Sequence, residues 1–352
     1  MVYPYESLYL EALGATALTI GLVGALGTVA LFISRLVGGP LADKYGRRDL
    51  IVTMTFGVAV SYVFYALAPD WRLVAVGVLM ANLCLVYQPA LQAITADSIP
   101  PEKRGLGYAL TNVLPGAVAL LSPFVARYLI TKHGFVEGMR KAYWLAVAGC
   151  LAAALVRAFF LKETLDVREK ADLRRVMADI RRSASEMVRA LRGMPGELKV
   201  FTVILLVSIF EEPMFHMFMS LYAVHVVGIS RADWALLSIV WSAVPLAVGI
   251  PLGKAVDIIG RKRALVISYL LWIPSTVFFI TAGGFTDLLI VFVFFSLGAA
   301  FFGPAQQALI ADLTPKEVRG RVMAAIGNLN LLAAAASSAC LLYTSPSPRD
   351  RG

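Results

Sequence analysis

Gly38-Gly39-Pro40-Leu41-Ala42-Asp43-Lys44-Tyr45-Gly46-Arg47-Arg48 returns in a worn form as Gly253-Lys254-Ala255-Val256-Asp257-Ile258-Ile259-Gly260-Arg261-Lys262. Asp43 and Asp257 stand 214 residues apart, and the glycines and basic pairs keep that spacing. A second set, Pro89, Asp97, Pro100, Glu102, Arg104 and Gly105, recurs as Pro304, Asp312, Pro315, Glu317, Arg319 and Gly320 at a spacing of 215. Each set falls between the same pair of apolar runs, so the chain consists of two halves repeated in the same sense. Gly14 and Gly228 also lie 214 apart. With the seventh run starting near Phe201, this spacing predicts that a first run begins ahead of Met1.

The runs between these loops decide the fold class. The chain has 352 residues, 59% hydrophobic and 16% charged, with a mean hydropathy of +0.75. Soluble domains carry about 25% charged residues. Apolar runs lie near 17–38, 50–68, 73–96, 106–126, 142–161, 200–224, 234–253, 264–282, 288–311 and 322–342. About 20 residues at 1.5 Å each cross a hydrocarbon core of ~30 Å. Lipid offers no partner to an open backbone, and the alternating segments of a barrel are absent, so the expectation is an all-α integral membrane protein.

Charge placement sets the orientation. With the 43–49 loop on the cytoplasmic side, about 23 Lys and Arg fall there and about 6 opposite, as the positive-inside rule requires. No basic stretch carries interleaved aromatics, so the net charge of +9 does not point to nucleic acid. Between the halves, residues 162–199 form a charged connector. Its Leu173, Val176, Met177, Ile180, Met187, Val188 and Leu191 recur at helical spacing among arginines, which predicts an amphipathic helix ended by Gly193-Met194-Pro195-Gly196. The organisation read from this is 1–161, a bundle with most of its first span missing; 162–199, the connector; and 200–339, a bundle missing its last span. Residues 340–352 are set apart: Cys340 to Asp350 reads CLLYTSPSPRD, which resembles an in-frame translation of a sequencing-library adapter.

The loop from Gly38 to Arg48 resembles the signature loop between the second and third spans of the major facilitator superfamily, and the copy at Gly253 sits where that family has its second. Asp49 departs from the third basic residue often found there. The resemblance implies two pseudo-symmetric six-helix bundles around a central cavity, about ten complete spans of twelve being present here. It implies secondary active transport of a small solute by alternating access. It also implies a multi-pass protein of the cell membrane, with the signature loops and connector cytoplasmic, acting as a monomer.

The residues suggest roles of their own. Gly39 removes a side chain where helices approach, Gly46 and Gly260 permit tight turns, and Arg47 and Arg48 hold the loop against anionic lipid. Thr314-Pro315-Lys316-Glu317 resembles a capping box, so the eleventh span is expected to begin there. Asp43 is then expected to dock on that helix start in one gate state, and Asp257 to do the same near Arg104 and Gly105, each locking the cytoplasmic side shut, with Arg319 counted in the same gating set. The alternative for Asp43 is pairing with its neighbour Arg47.

Ionisable groups deep in a span cost about 2.5 to 3.5 kcal/mol on insertion scales and so are functional candidates. Glu211 and Glu212 lie mid-span beside Pro213, with His216 one turn after Glu212; such a pair could exchange a proton or meet a cationic substrate. Under the resemblance, spans 1, 4, 7 and 10 line the cavity, which adds Glu6, Asn82, Gln88, Gln92 and Gln306, with Asn112, Asn328 and Asn330 on spans 5 and 11. No charge occurs between Arg72 and Asp97, and Pro115-Gly116 and Ser122-Pro123 do not match the Gly-Pro pattern of antiporters. A drug/proton antiporter is therefore not favoured over a metabolite symporter or uniporter. Zinc-spacing clusters, a nucleophile elbow and a Walker loop are all missing from the sequence, so neither an enzyme, a metal site nor a cofactor is expected. A transport-inactive sensor on the same fold is the competing reading.

Overall fold

The structure is a computed structural model that describes residues 3–98, 120–163, 173–315 and 318–344, without the side chains of 3, 43–45, 96–97, 173–180, 183, 211–214, 250, 319–321 and 339–344. A 3-10 turn at Tyr3–Tyr5 leads into α1 (Glu6–Ala12), α2 (Ala17–Tyr45), α3 (Arg47–Leu67) and α4 (Trp71–Cys84). A 3-10 turn, Leu85–Tyr87, separates α4 from α5 (Gln88–Ser98). Then come α6, described over 120–133, α7 (Phe135–Phe160), α8 (Leu173–Arg192) and α9 (Gly196–His225). α10 (Arg231–Ile259), α11 (Arg261–Thr281), α12 (Phe285–Asp312) and α13 (Arg319–Thr344) complete the chain. No strand occurs among the described residues.

Seven described segments are long and apolar enough to cross a membrane, and α9, at 30 residues, reaches about 45 Å at 1.5 Å per residue. Apolar residues face outward along them, as Phe159 (80% exposed) and Leu270 (65%) do, because lipid rather than water receives them. The fold is that of an all-α integral membrane protein.

The repeat governs the backbone. α10 starts and ends 214 residues after α2, α11 does the same after α3, and α12 begins 214 after α4. The helix caps match too: the Thr16 hydroxyl accepts the Thr19 N–H, and the Ser230 hydroxyl accepts that of Asp233. Gly14 and Gly228 both adopt positive φ, as do Gly46 (101°) and Gly260 (90°), where a side chain would be strained.

The helices gather into two compact units. One holds the first residues through Glu6, α6 with the chain to Met139, and Phe218–Arg319; the other holds Ser7 through α5, Arg140–Met217 and the chain from Gly320. In the second unit the amphipathic α8 packs against α2 and ends at Arg192, where the Gly193 N–H closes on the Arg189 carbonyl at 3.0 Å. α13 continues to Thr344, five residues into the segment set apart at 340.

Candidate functional site

The first turn joins α2 to α3 at Gly46. The first N–H groups of α3 have no partner within the helix, and the Glu163 carboxylate fills that place: Oε1 accepts the Arg47 N–H and Oε2 that of Arg48, each at 3.2 Å. Arg48 completes the exchange at the end of α7. Its Nε donates to the Leu161 carbonyl at 2.8 Å, and Nη2 donates to that of Ala158. A carboxylate thus sits on one helix's positive end and a guanidinium on another's negative end, both within one unit. The Asp43 side chain lies outside the described residues, and with it both its docking on α13 and its pairing with Arg47; the Arg319 side chain is likewise outside.

The close approach expected at Gly39 is at Gly38 instead. A Cβ on Gly39 would meet nothing within 4 Å, whereas one on Gly38 would overlap the Val86 carbonyl oxygen and stand 3.1 Å from Pro89 Cδ. The two glycines lie about 100° apart around α2, so only one can face the neighbouring helix. Gly253 is open like Gly39.

The second turn, at Gly260, is held differently. Arg261 Nη2 lies 3.2 Å from Asp257 Oδ1, and Arg261 Nε lies 3.2 Å from Asp312 Oδ2 at the end of α12. The described partner of Asp257 is therefore its neighbour one turn on, and Arg104 and Gly105 fall outside the described residues. The Asp257 side chain is 69% exposed, which limits that pair to about 1 kcal/mol or less. Thr314 donates its hydroxyl back to the Ile310 carbonyl at 2.6 Å, and α13 begins at Arg319. Lys316 and Glu317 of the expected capping box lie outside the described residues.

Along α2 runs a stripe of small residues at helical spacing: Gly24, Gly27, Ser34 and Gly38. A Cβ on Gly24 would overlap Met217 of α9, and one on Gly27 would stand 2.9 Å from Val78 and 3.2 Å from Asn82 Nδ2 of α4. Ser34, 1% exposed, places its hydroxyl 2.8 Å from the Asn82 carbonyl and 3.0 Å from that of Leu83. The stripe therefore brings α9, beside His216, and α4, at Asn82, onto one face of α2.

The candidate residues divide as follows. Asn82, Gln88, His216, Asn328 and Asn330 are half-buried and belong to one unit, and Asn330 Oδ1 is buried without a hydrogen-bond partner among the described residues. Glu6 and Gln306, also half-buried, belong to the other unit, and Gln92 is exposed. α9 runs as one helix through Glu211, Glu212 and Pro213, whose side chains are not described; Asn112 lies outside the described residues. Asn82 Nδ2 donates to the Val78 carbonyl of its own helix at 2.9 Å.

Two arrangements escaped the sequence reading. Arg157 turns inward from α7, donating to Thr55 Oγ1 at 2.6 Å and lying 5.3 Å from the Tyr87 ring centroid in the 3-10 turn. A charge inside the run 142–161 was the available signal. The other arrangement is a clasp within the first unit. Arg127 of α6 lies 3.8 Å from Asp233 of α10, Arg231 lies over the Phe135 ring at 4.4 Å, and Trp234 Nε1 donates to the Pro4 carbonyl at 2.8 Å. Tyr5 is fully buried there.

The model of the Major Facilitator Superfamily matches residues 1–338. The chain belongs to that superfamily. Major Facilitator proteins are transporters rather than enzymes, and this chain is a multi-pass secondary transporter of a small solute. It is 27% identical over 339 residues to the multidrug resistance protein MdtG of Citrobacter koseri, covering 92% of this chain and 78% of that one. It is 28% identical to the MdtG protein of Enterobacter lignolyticus, covering 92% and 76%. Among solved structures, a peptide transporter POT in complex with sulfate superposes with a TM-score of 0.73 at 16% identity over 98% of this chain and 86% of that one. The human organic anion transporter MFSD10 does so with 0.64 at 20% identity over 97% and 89%. These likenesses confirm the fold expected from the two glycine turns.

Proposed function

We propose that this Major Facilitator protein carries a small amphipathic organic solute. The halves 1–161 and 200–339, joined by the connector 162–199, rock about a site to which α2, α4 and α9 contribute. The single observation that carries the reading is the small-residue stripe of α2, which packs Met217 of α9, next in sequence to His216, and Asn82 of α4 against one apolar helix. A few polar groups on an apolar wall suit a solute with an apolar body and one polar end. The relatives named multidrug resistance proteins, matched over most of the chain, support the same solute class.

Glu212, with Glu211 and His216, is the group that meets a coupling proton or a cationic substrate; Gln88, Asn328, Glu6, Gln306 and Asn112 are the further contacts. Asp43 with Arg319, and Asp257 with Arg104, act at the gates. The glycine turns and the connector face the cytoplasm, and the transporter works as a monomer in the cell membrane.

The test is uptake into proteoliposomes holding the purified chain, with a fluorescent amphipathic cation as probe and a pH gradient imposed. Transport should occur, and Glu212→Gln should lower it at least tenfold. Equal transport by that variant would remove Glu212 from the site. Transport of polar solutes with none of the amphiphile would overturn the solute class.

A further inference from the structure

α11 and α12 press together at one level and part beyond it. Trp272 Nε1 donates to the Phe295 carbonyl at 3.0 Å, and a Cβ on Gly298 would overlap the indole. The next turn of α11 contains Pro274, which has no N–H to give the Leu270 carbonyl, a common cause of helix kinks. The hydroxyls of Ser275 and Thr276 donate back to Leu271 (2.6 Å) and Trp272 (3.1 Å), a bonding pattern that also bends helices. At the end of α11 remote from Gly260, Tyr222 of α9 donates its hydroxyl to the Ile280 carbonyl at 2.7 Å and lies beside Phe279. The last turns of α11 are thus tied to α9, and a groove of about 540 Å³ opens between α11 and α12.

Its wall is apolar, with Leu270, Pro274, Phe278, Ile290 and Phe294, and Asp287 stands at the mouth. From Ala264 to Pro315 the chain has no Lys, Arg or His. Asp287 makes no ion pair among the described residues, where its partner is the Gly283 N–H, given to Oδ2 at 2.9 Å. An exposed carboxylate beside an apolar groove, with the basic residues of α11 confined to its first turn, Arg261 to Arg263, at the other end of the helix, matches a ligand that has an apolar body and one positive charge. The volume lies within the roughly 300 to 1,000 Å³ of drug-sized sites.

We propose that this groove is a peripheral binding site for a membrane-partitioned monocationic amphiphile, its body along Phe278 and Phe294 and its ammonium at Asp287. A phospholipid fits less well, because its phosphate would be held against the Asp287 carboxylate. The site is separate from the one proposed around His216 and does not depend on Glu212.

The purified chain in phosphatidylcholine nanodiscs is photolabelled with a diazirine-bearing alkyl trimethylammonium, its neutral alcohol and its carboxylate analogue. Label from the cation should concentrate on residues 270–294 and exceed that from the other two at least fivefold. Asp287→Asn should abolish this preference, Ile290→Trp should block labelling by filling the groove, and Glu212→Gln should change neither. Equal labelling by all three analogues, an unaltered preference in Asp287→Asn, or displacement of the cation by added phosphatidylethanolamine would overturn the proposal. Transport that depends on Glu212 while residues 270–294 stay unlabelled would remove this site and leave the central one standing.

Discussion

The first copy of the repeat, α2 to α5, and the second, α10 to α12, keep the same helix bounds yet differ where α4 passes α2 and α12 passes α10. In the second copy α12 runs unbroken through Pro304, and α10 faces the repeat positions with Val248 and Leu252. In the first, the helix breaks into a 3-10 turn at Leu85–Tyr87, and α2 carries Ser34 and Gly38 at those positions. The stretch from Trp71 to Pro89 is one residue shorter than that from Phe285 to Pro304. Three residues at a 3-10 rise of about 2.0 Å, rather than 1.5 Å, recover about 1.5 Å, the rise of the missing residue. The break thus accounts for the shift in spacing from 214 to 215. At the break the Leu85 N–H turns to the Asn82 and Leu83 carbonyls, which the Ser34 hydroxyl also meets, and the Val86 carbonyl faces α2, where only a glycine leaves room.

Exchanging the copies should break this match. Gly38→Leu, which installs the residue of the second copy, places a branched side chain against the Val86 carbonyl and the Pro89 ring. It should cost more than about 3 kcal/mol, beyond the usual overpacking penalty because backbone must move. Thermal unfolding in detergent should show a folded yield far below wild type; a wild-type melting curve would refute the close approach. Ser34→Val, the second exchange, removes the hydroxyl's hydrogen bond and adds a carbon at a site only 1% exposed, at a cost of about 1 to 3 kcal/mol. A melting temperature unchanged from wild type would show that the hydroxyl is not what holds the break.

Much of this was legible beforehand, and what was not has identifiable physics behind it. Positive φ at Gly46 and Gly260 follows from a turn too short for any other residue, and the amphipathic α8 follows from its periodicity. Gly38 and Gly39 could not be ranked, because neighbouring glycines differ only in which way they face, and that depends on a 3-10 turn some 47 residues later. Arg157 was passed over because an arginine near a span end ordinarily snorkels outward. The cavity candidates rested on the family's helix numbering, which does not tell that Asn82, Gln88, His216, Asn328 and Asn330 share one unit while Glu6 and Gln306 belong to the other.

The two turns offer a further contrast. At the first, Glu163 accepts two backbone N–H bonds at the start of α3, and a charge at a helix N-terminus contributes about 0.3 to 1 kcal/mol, more when partly buried. At the second, Asp257 is exposed and pairs with Arg261 alone among described groups. Glu163→Gln should therefore destabilise the protein by about 1 kcal/mol, and Asp257→Asn by less than about 0.5 kcal/mol. High salt should weaken the Asp257 effect and leave most of the Glu163 effect, since screening acts first on exposed pairs. Equal losses at both sites would mean that the turns are held alike after all.

The smallest effect belongs to the glycine that first drew attention. Gly39 faces open space inside α2, as Gly253 does inside α10, and neither has a positive φ. In a helix interior, alanine is favoured over glycine by about 1 kcal/mol, mostly through the unfolded chain's lost freedom, and a surrounding membrane reduces that gain by keeping much of the helix formed. Gly39→Ala and Gly253→Ala should each leave the melting temperature unchanged or slightly raised. Transport by the two variants separates packing from motion. If Gly39→Ala melts normally but transports more slowly, the open space beside Gly39 is occupied in another state of the cycle; if it transports normally, the glycine that α2 needs is Gly38.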